Sequence, residues 1–445
     1  MTADGNGSRR SLSTWLAEVV RHGYHEDGVA GTVARAPRFV VDDMLGQRLR
    51  SWLLTQPVRD GLIDRPALVA RATETGTIWK ADEQARVTID GPASLPPPLA
   101  AKTGTYHPER PFVCELRDAR LVGPDALGIV DSDRIVLETA SASRMYLSFV
   151  LGDLYDRLAS GQSRVAAYRT YRQILAGNAT MPAPSTSPGD TPERLDTAVA
   201  FVPYWRNYYH WTIEYLPKIR LLELYRAVTG REPTVVLEAD PPKWIVDTLR
   251  LAGWDPDSCL EWTETTAHVD RLVVPFHRNQ YITPHDGRFT DDFNPAPDDV
   301  RWLAERMQSN VDGLHAGEFS ERVFLSRKDT KFRPVANEEA AMDVLRPLGF
   351  ESYVLGDLPL SDQIRLFANA DTIVSPHGAG LVNMIHASDA TVVELFPENN
   401  VEPYYFCLAR QLGFAYNCRR YPTDDDAMVI DTDDLRTVVS QIVDR

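Results

Sequence analysis

The chain has 445 residues, enough for two domains of ordinary size. It carries 63 acidic against 47 basic residues, a formal charge of −16, which argues against general nucleic-acid binding and against electrostatic docking on an anionic membrane. No stretch has the length and apolarity of a membrane span. The four cysteines (Cys114, Cys259, Cys407, Cys418) show no CxxC spacing, so neither a zinc site nor a disulfide framework is expected.

Six of the 47 basic residues are lysine, leaving 41 arginines. An acid-rich, lysine-poor surface suits molar salt, where screening removes its self-repulsion, so a halophilic origin is expected. The polar start of the chain, residues 1–10, reads as a tail without a secretory apolar core, and a cytoplasmic location is expected.

Leu12, Trp15, Leu16, Val19 and Val20 recur at helical spacing and predict an amphipathic helix. A second helix is predicted over 42–55, and the Leu95-Pro-Pro-Pro-Leu99 stretch reads as a linker or rigid turn. Short strands are predicted over 112–116, 121–122, 126–130 and 134–138. A polar, Pro-rich loop spans 178–194. Strand 198–202, a helix from about Tyr209, strand 234–237, helix 242–252 and strand 271–275 then alternate as a parallel α/β sheet requires.

The Pro-, Asp- and Asn-rich stretch 280–297 reads as the inter-domain linker. Helix 298–311 leads into a second alternation: strand 322–326, helix 337–345, strand 352–355, a helix capped by Ser361 through 369, and strand 372–375. A Gly-containing turn and helix come next, then strand 391–396 and helix 404–412. Glu338 and Glu339 in a first turn favour their helix dipole. A final helix over 433–443 is expected to pack on the first α/β unit.

Two clusters carry chemistry. In the second half, Arg327 stands just past a strand end, with Lys328, Lys331 and Arg333 in the same loop. The turn His377-Gly378-Ala379-Gly380 follows a buried strand and opens a helix, the arrangement with which α/β proteins hold phosphate. Arginine can grip a diphosphate bidentately. Either feature alone is also read as a solvated basic loop or a packing corner. Their shared position at strand ends of one sheet favours a phosphate site. Glu394 lies within an apolar strand, where an acid needs partners; a ribose diol or an ion pair would supply them.

In the first half, Asn207-Tyr-Tyr-His210-Trp211 leads to Glu214. His210 and Glu214, four apart, share one helical face. A carboxylate beside an imidazole fixes its orientation and favours its charged form, which suits a general base. The alternative is a structural core histidine beside a surface acid. His268, His277, His285, His315 and His386 have no metal spacing with one another, and HExxH and HxxEH motifs are absent, so no metal ligand set is expected.

The serial order of these motifs resembles glycosyltransferase family 61. The resemblance rests on Asn207-Tyr-Tyr-His-Trp with Glu214 and Leu216-Pro217, then on Phe324-Leu-Ser-Arg327, Asn337-Glu338, Leu348-Gly-Phe350 and Gln363. Pro376-His-Gly-Ala-Gly-Leu through Asn383 and Val393-Glu-Leu-Phe-Pro397 complete it. It covers roughly residues 110–425.

The resemblance implies an α/β fold of the GT-B type, two facing Rossmann-like domains with an N-terminal extension. The expected divisions are a helical extension and linker over 1–109, an acceptor and catalytic-base domain over 110–295, a donor domain over 296–430 and a terminal helix over 431–445. It implies inverting, metal-independent transfer from a nucleoside diphosphate sugar, uridine-linked by family expectation and with no resident cofactor. The acceptor would be a glycan or lipid-linked glycan, the latter bringing the chain to the inner face of a membrane.

Arg327, Arg333, His377, Gly378, Ala379, Gly380, Asn383 and Glu394 would bind the donor. His210 or Glu214 would be the base, with Asn207 and Trp211 in acceptor or structural roles. The family commonly has Asp where Glu214 stands. Rival readings are a non-catalytic nucleotide-sugar or glycan-binding protein and a nucleotide-sugar epimerase.

Overall fold

The computed structural model describes residues 46–83, 85–92, 94–182, 194–263, 265–276, 296–315, 319–330, 333–425 and 427–444. The predicted 12–20 helix, most of the 280–297 stretch, His277, His285 and Lys331 lie outside these residues. Two sheets organise the rest, a mixed one of nine strands and a parallel one of five.

The nine-stranded sheet is mostly parallel in one half and mostly antiparallel in the other. Thr266–Pro275, Arg194–Ala200 and Thr234–Glu238 lie side by side in parallel, as the βα alternation predicted, and Leu260–Trp262, not predicted, extends them. The other half is an antiparallel meander. Phe112–Val122 is one eleven-residue strand, not two short ones, because it pairs with Thr266–Pro275 along almost its whole length. Leu127–Val130 and Arg134–Val136 follow it antiparallel, and the helices Arg144–Ala159 and Arg164–Leu175 cover them. Leu62–Ile63 and Ile78–Lys80, from the stretch expected as an extension, pair into this same sheet. The Pro-rich 95–99 stretch forms a short helix, Pro97–Ala100.

The five-stranded sheet follows the alternation closely. Its spatial order is Phe350–Tyr353, Arg322–Leu325, Thr372–Pro376, Thr391–Pro397, Ala415–Tyr421, all parallel. In order of sequence this is 2-1-3-4-5. Thr372–Pro376 is central and buried along its full length, which is why it reads as an unbroken apolar run. Full burial of Ile373 and Val374 contributes about 1.5–3 kcal/mol each. The helix Tyr404–Leu412, on this sheet, and Lys218–Thr229, on the nine-stranded one, stop at Gly413 (φ 90°) and Gly230 (φ 68°), left-handed positions that glycine occupies without a Cβ penalty.

Three expectations change. Ser361 does not cap its helix, which begins at Leu360 after Pro359 with no side-chain cap. The last helix, Thr432–Val443, packs on Glu338–Leu345 of the second sheet's layer, not on the first unit, because Leu435, Val438 and Val439 meet Ala341, Met342 and Leu345 there. The helix after the Gly-containing turn is a 3-10 helix, Ala379–His386. One buried apolar cluster runs through both sheets, from Val236 and Leu272 to Ile373 and Val392. Among the described residues, no helix is long and apolar enough to cross a membrane.

Candidate active site

The 2-1-3-4-5 order places the topological switch between Arg322–Leu325 and Thr372–Pro376. Open α/β sheets bind ligands at the carboxyl ends of strands at such a switch. Arg327 follows the first of these strands and His377-Gly378-Ala379-Gly380 the second. The two segments touch. A Cβ on Gly378 would lie 1.7 Å from Arg327 Nη1, so the guanidinium rests where any side chain would stand. Ala379 and Gly380 remain partly exposed, and their N–H groups begin the 3-10 turn, whose first amides have no intrahelical partner.

Arg327 is held from behind. Its Nε donates to the Arg333 carbonyl (3.2 Å), and its backbone N–H donates to Glu338 Oε2 (3.3 Å). The Ser326 hydroxyl donates to Glu338 Oε1 (2.7 Å), and Lys328 Nζ lies 3.6 Å from the same oxygen. Glu338 therefore anchors the loop besides sitting in a first helical turn. Arg333 adopts φ 52°, an unusual conformation for a bulky residue, and it brings a second guanidinium near the first. Burial lowers the Arg327 pKa and the Arg333 charge lowers it further. Two like charges held together this way favour an anion between them.

Glu394 is fully buried. Its Oε1 lies 2.5 Å from His377 Nδ1, and the Tyr416 hydroxyl donates to Oε2 (2.6 Å). Both oxygens are thus engaged inside the protein, and the side chain has no exposed surface. The arrangement makes Glu394 a residue that positions His377, whose ring packs on Phe396 and Tyr405 at centroid distances of 5.3 and 5.2 Å.

The His210 cluster is built on an irregular helix. Asn207 caps it, its Oδ1 accepting from the His210 N–H (3.0 Å). Tyr208–His210 is one α-turn, and Trp211–Tyr215 widens into a π-turn, a rare element often found at functional sites. His210 Nδ1 lies 2.5 Å from Glu214 Oε1. The imidazole is 14 % exposed and the carboxylate 3 %. With Nδ1–H donating to Glu214, Nε2 carries the basic lone pair. Trp211 is fully buried and donates Nε1–H to Thr248 Oγ1 (2.8 Å), a structural role.

The clusters converge through aromatic rings. Tyr209 lies 5.3 Å from His210 and 5.4 Å from Tyr405, and Tyr405 lies 5.2 Å from His377. Tyr404 touches both Tyr209 and His377, at 5.5 and 6.4 Å. Burial holds the Tyr405 hydroxyl well above its ordinary pKa, Glu394 adds to this, and Arg333 and Arg327 oppose it. The Tyr209 hydroxyl is buried without a hydrogen-bond partner, an arrangement that costs about 1–3 kcal/mol.

Residues 208–393 match the family described as Glycosyltransferase 61. The match covers less than half of the chain. A mouse (Mus musculus) EGF domain-specific O-linked N-acetylglucosamine transferase is 32% identical over 108 residues, 23% of this chain and 20% of the relative. The Bos taurus and Rattus norvegicus proteins of that name are each 29% identical over 120 residues, 26% of this chain and 22% of theirs. The chain thus matches only about a fifth of the length of these curated relatives.

The matched stretch contains His210, Glu214, Arg327, Arg333 and the His377 turn, and it ends one residue before Glu394. Asn383, expected at the donor, is instead wholly buried. Its Oδ1 accepts from the Tyr208 hydroxyl (2.7 Å), and its Nδ2 donates to Gln363 Oε1 (2.9 Å). Gln363 in turn donates to the Leu355 and Leu358 carbonyls. Asn383 therefore ties the His210 helix to the second sheet and is not presented to a ligand. Tyr404 and Tyr405 were not foreseen. Their one sequence signal is an aromatic pair opening a helix directly after Pro403.

Proposed function

We propose that the chain is an inverting glycosyltransferase. It moves a sugar from a nucleoside diphosphate sugar to a hydroxyl of a glycan or lipid-linked glycan. The two sheets would act as the facing halves of a GT-B arrangement. The observation that carries this reading is the Arg327 guanidinium seated against Gly378 at the switch point, with Arg333 beside it. A diphosphate placed there meets two arginines and the start of the 3-10 turn. Charge that another enzyme would assign to a metal is supplied here by side chains, so transfer is proposed to need no added metal.

In the reaction, His210 Nε2 takes the proton of the acceptor hydroxyl. That oxygen attacks the anomeric carbon from the face opposite the diphosphate. The carbon–oxygen bond to the diphosphate breaks, and its electron pair leaves with the nucleoside diphosphate. Glu214 stabilises the imidazolium formed, and Arg327 and Arg333 stabilise the departing charge. His377, fixed by Glu394, shapes the donor turn.

The decisive test combines UDP titration calorimetry with sugar transfer assayed in a chelator. The parent chain should bind UDP and release it from UDP-sugar only when acceptor is present. Binding without turnover across a broad acceptor panel would favour a non-catalytic binder. Sugar isomerisation without free UDP would favour an epimerase.

A further inference from the structure

A cleft of ≈ 410 Å³ opens beside the His210 helix, lined by neither Arg327 nor Arg333. Its walls include Asp125, Asp153, Asp156, Arg157, Tyr204 and Trp205. Trp205 is 44 % exposed, unusual for the largest side chain, and its ring lies 6.3 Å from that of His210 at an interplanar angle of 21°. Tyr204 meets Trp205 edge-on at 5.3 Å. Phe149, itself exposed, stacks on Tyr204 at 5.4 Å and 18°. The result is a continuous open aromatic surface that ends at the proposed base.

We propose that this cleft is an acceptor subsite that holds a neutral sugar ring of the glycan, beyond the unit whose hydroxyl reacts. The inference rests on the reading of His210 as the base, because Trp205 joins the cleft to that imidazole.

The chemistry of the walls selects the occupant. An aromatic face carries partial negative charge, and the C–H groups on one face of a pyranose carry partial positive charge, so the two stack. Carboxylates around the edge accept hydrogen bonds from ring hydroxyls, and a guanidinium donates to them. Apolar walls with a few placed polar groups are the usual make-up of a small-ligand cleft.

The charges disfavour an anion. The walls carry three carboxylates, Asp125, Asp153 and Asp156, against two guanidiniums, Arg157 and Arg206, with Arg206 paired to Glu238 (2.9 Å) and Asp156 to Arg50 (2.6 Å). A phosphate or anionic lipid headgroup would meet these acids, whereas an uncharged polyol would not suffer the repulsion. The glycan part of a lipid-linked acceptor fits; its phosphate does not.

The test uses the full chain on an array of neutral oligosaccharides, with unglycosylated peptides printed alongside. UDP titration of the same samples reports the donor end. The parent should retain a subset of oligosaccharides. Asp153→Asn and Tyr204→Leu should each weaken that retention by about tenfold or more, with the UDP Kd unchanged. Phe149→Ala, on the exposed rim, should weaken it less and guards against loss through misfolding. Unchanged retention by Asp153→Asn and Tyr204→Leu overturns the subsite. So does retention of peptides in place of glycans, or of no glycan while UDP still binds. Failure of the parent to bind UDP would instead sink the transferase reading, and the subsite with it.

Discussion

Two histidine–glutamate pairs stand in this protein with the same 2.5 Å Nδ1 contact and different surroundings. His210–Glu214 is formed within one helix, four residues apart, and its imidazole keeps an open edge. His377–Glu394 is formed between the residue after one strand and the middle of its neighbour, and Tyr416 closes the second carboxylate oxygen. The first pair can exchange a proton with something outside the protein. The second is more deeply buried, its imidazole 6 % exposed and its carboxylate not at all, so it is better placed to hold shape. A carboxylate beside an imidazole is therefore not a catalytic signature by itself; access decides which work the pair does.

Substitution can break this comparison. His210→Ala should lower sugar transfer by roughly 10²–10⁴-fold, the usual worth of a general base. The UDP Kd by calorimetry should stay put, and a parent-like transfer rate would remove His210 from the chemistry. His377→Ala should act on stability, because it strands a buried carboxylate; about 3–5 kcal/mol should be lost in urea unfolding. If it unfolds like the parent and loses only turnover, the two pairs have been assigned the wrong way round.

Arg327→Ala should weaken UDP binding by about 10–100-fold, as expected when a charge-assisted contact worth about 1.5–3 kcal/mol is removed. Unaltered affinity would place the donor elsewhere.

His386 supplies a third case, a histidine with no carboxylate at all. It is fully buried, both ring nitrogens lack a partner, and burial pushes its pKa down to about 3. The unfolded chain takes up this proton near the ordinary value of about 6.5, while the folded chain refuses it. Stability is thus whole above that pH and is lost as pH falls toward about 3; at pH 5 the loss is about 2 kcal/mol. His386→Met should flatten the urea midpoint between those limits. An equally steep acid slope in the variant would show that other groups control it. The smallest effect is expected from Tyr208→Phe, which removes one hydrogen bond to Asn383 and should cost about 0.5–1.5 kcal/mol by thermal unfolding.

Most parallel strands of both sheets were legible because each is a short apolar run bounded by turn residues, a local pattern; Leu260–Trp262 and the largely polar Ala415–Tyr421 lack it and were not. Arg327 and the Gly378 turn were legible for the same reason, since strand ends locate them. What was not legible depends on distant partners. Asn383 looked like a ligand contact because a polar residue in an apolar run needs an explanation; its explanation is Tyr208, 175 positions earlier. Glu394 was misleading in the same way, satisfied by His377 and Tyr416. The antiparallel half of the large sheet escaped because the strands Phe112–Val122 and Thr266–Pro275 that pair there lie far apart along the chain. The exposure of Trp205 is a property of the folded surface that periodicity does not carry.

The wide turn at Trp211–Tyr215 has a consequence for how this region tolerates change. Its Leu216 N–H reaches back five residues to the Trp211 carbonyl (3.0 Å), so the helix carries one surplus residue. Deleting any one residue of this turn would restore the regular four-residue reach. Everything before the deletion would then swing by about 100° around the axis relative to the helix Lys218–Thr229 beyond it. The imidazole would then be turned away from its present direction without being replaced. Length at this point is an angular key, and point substitution should be forgiven there far more readily than a shift of frame by one residue.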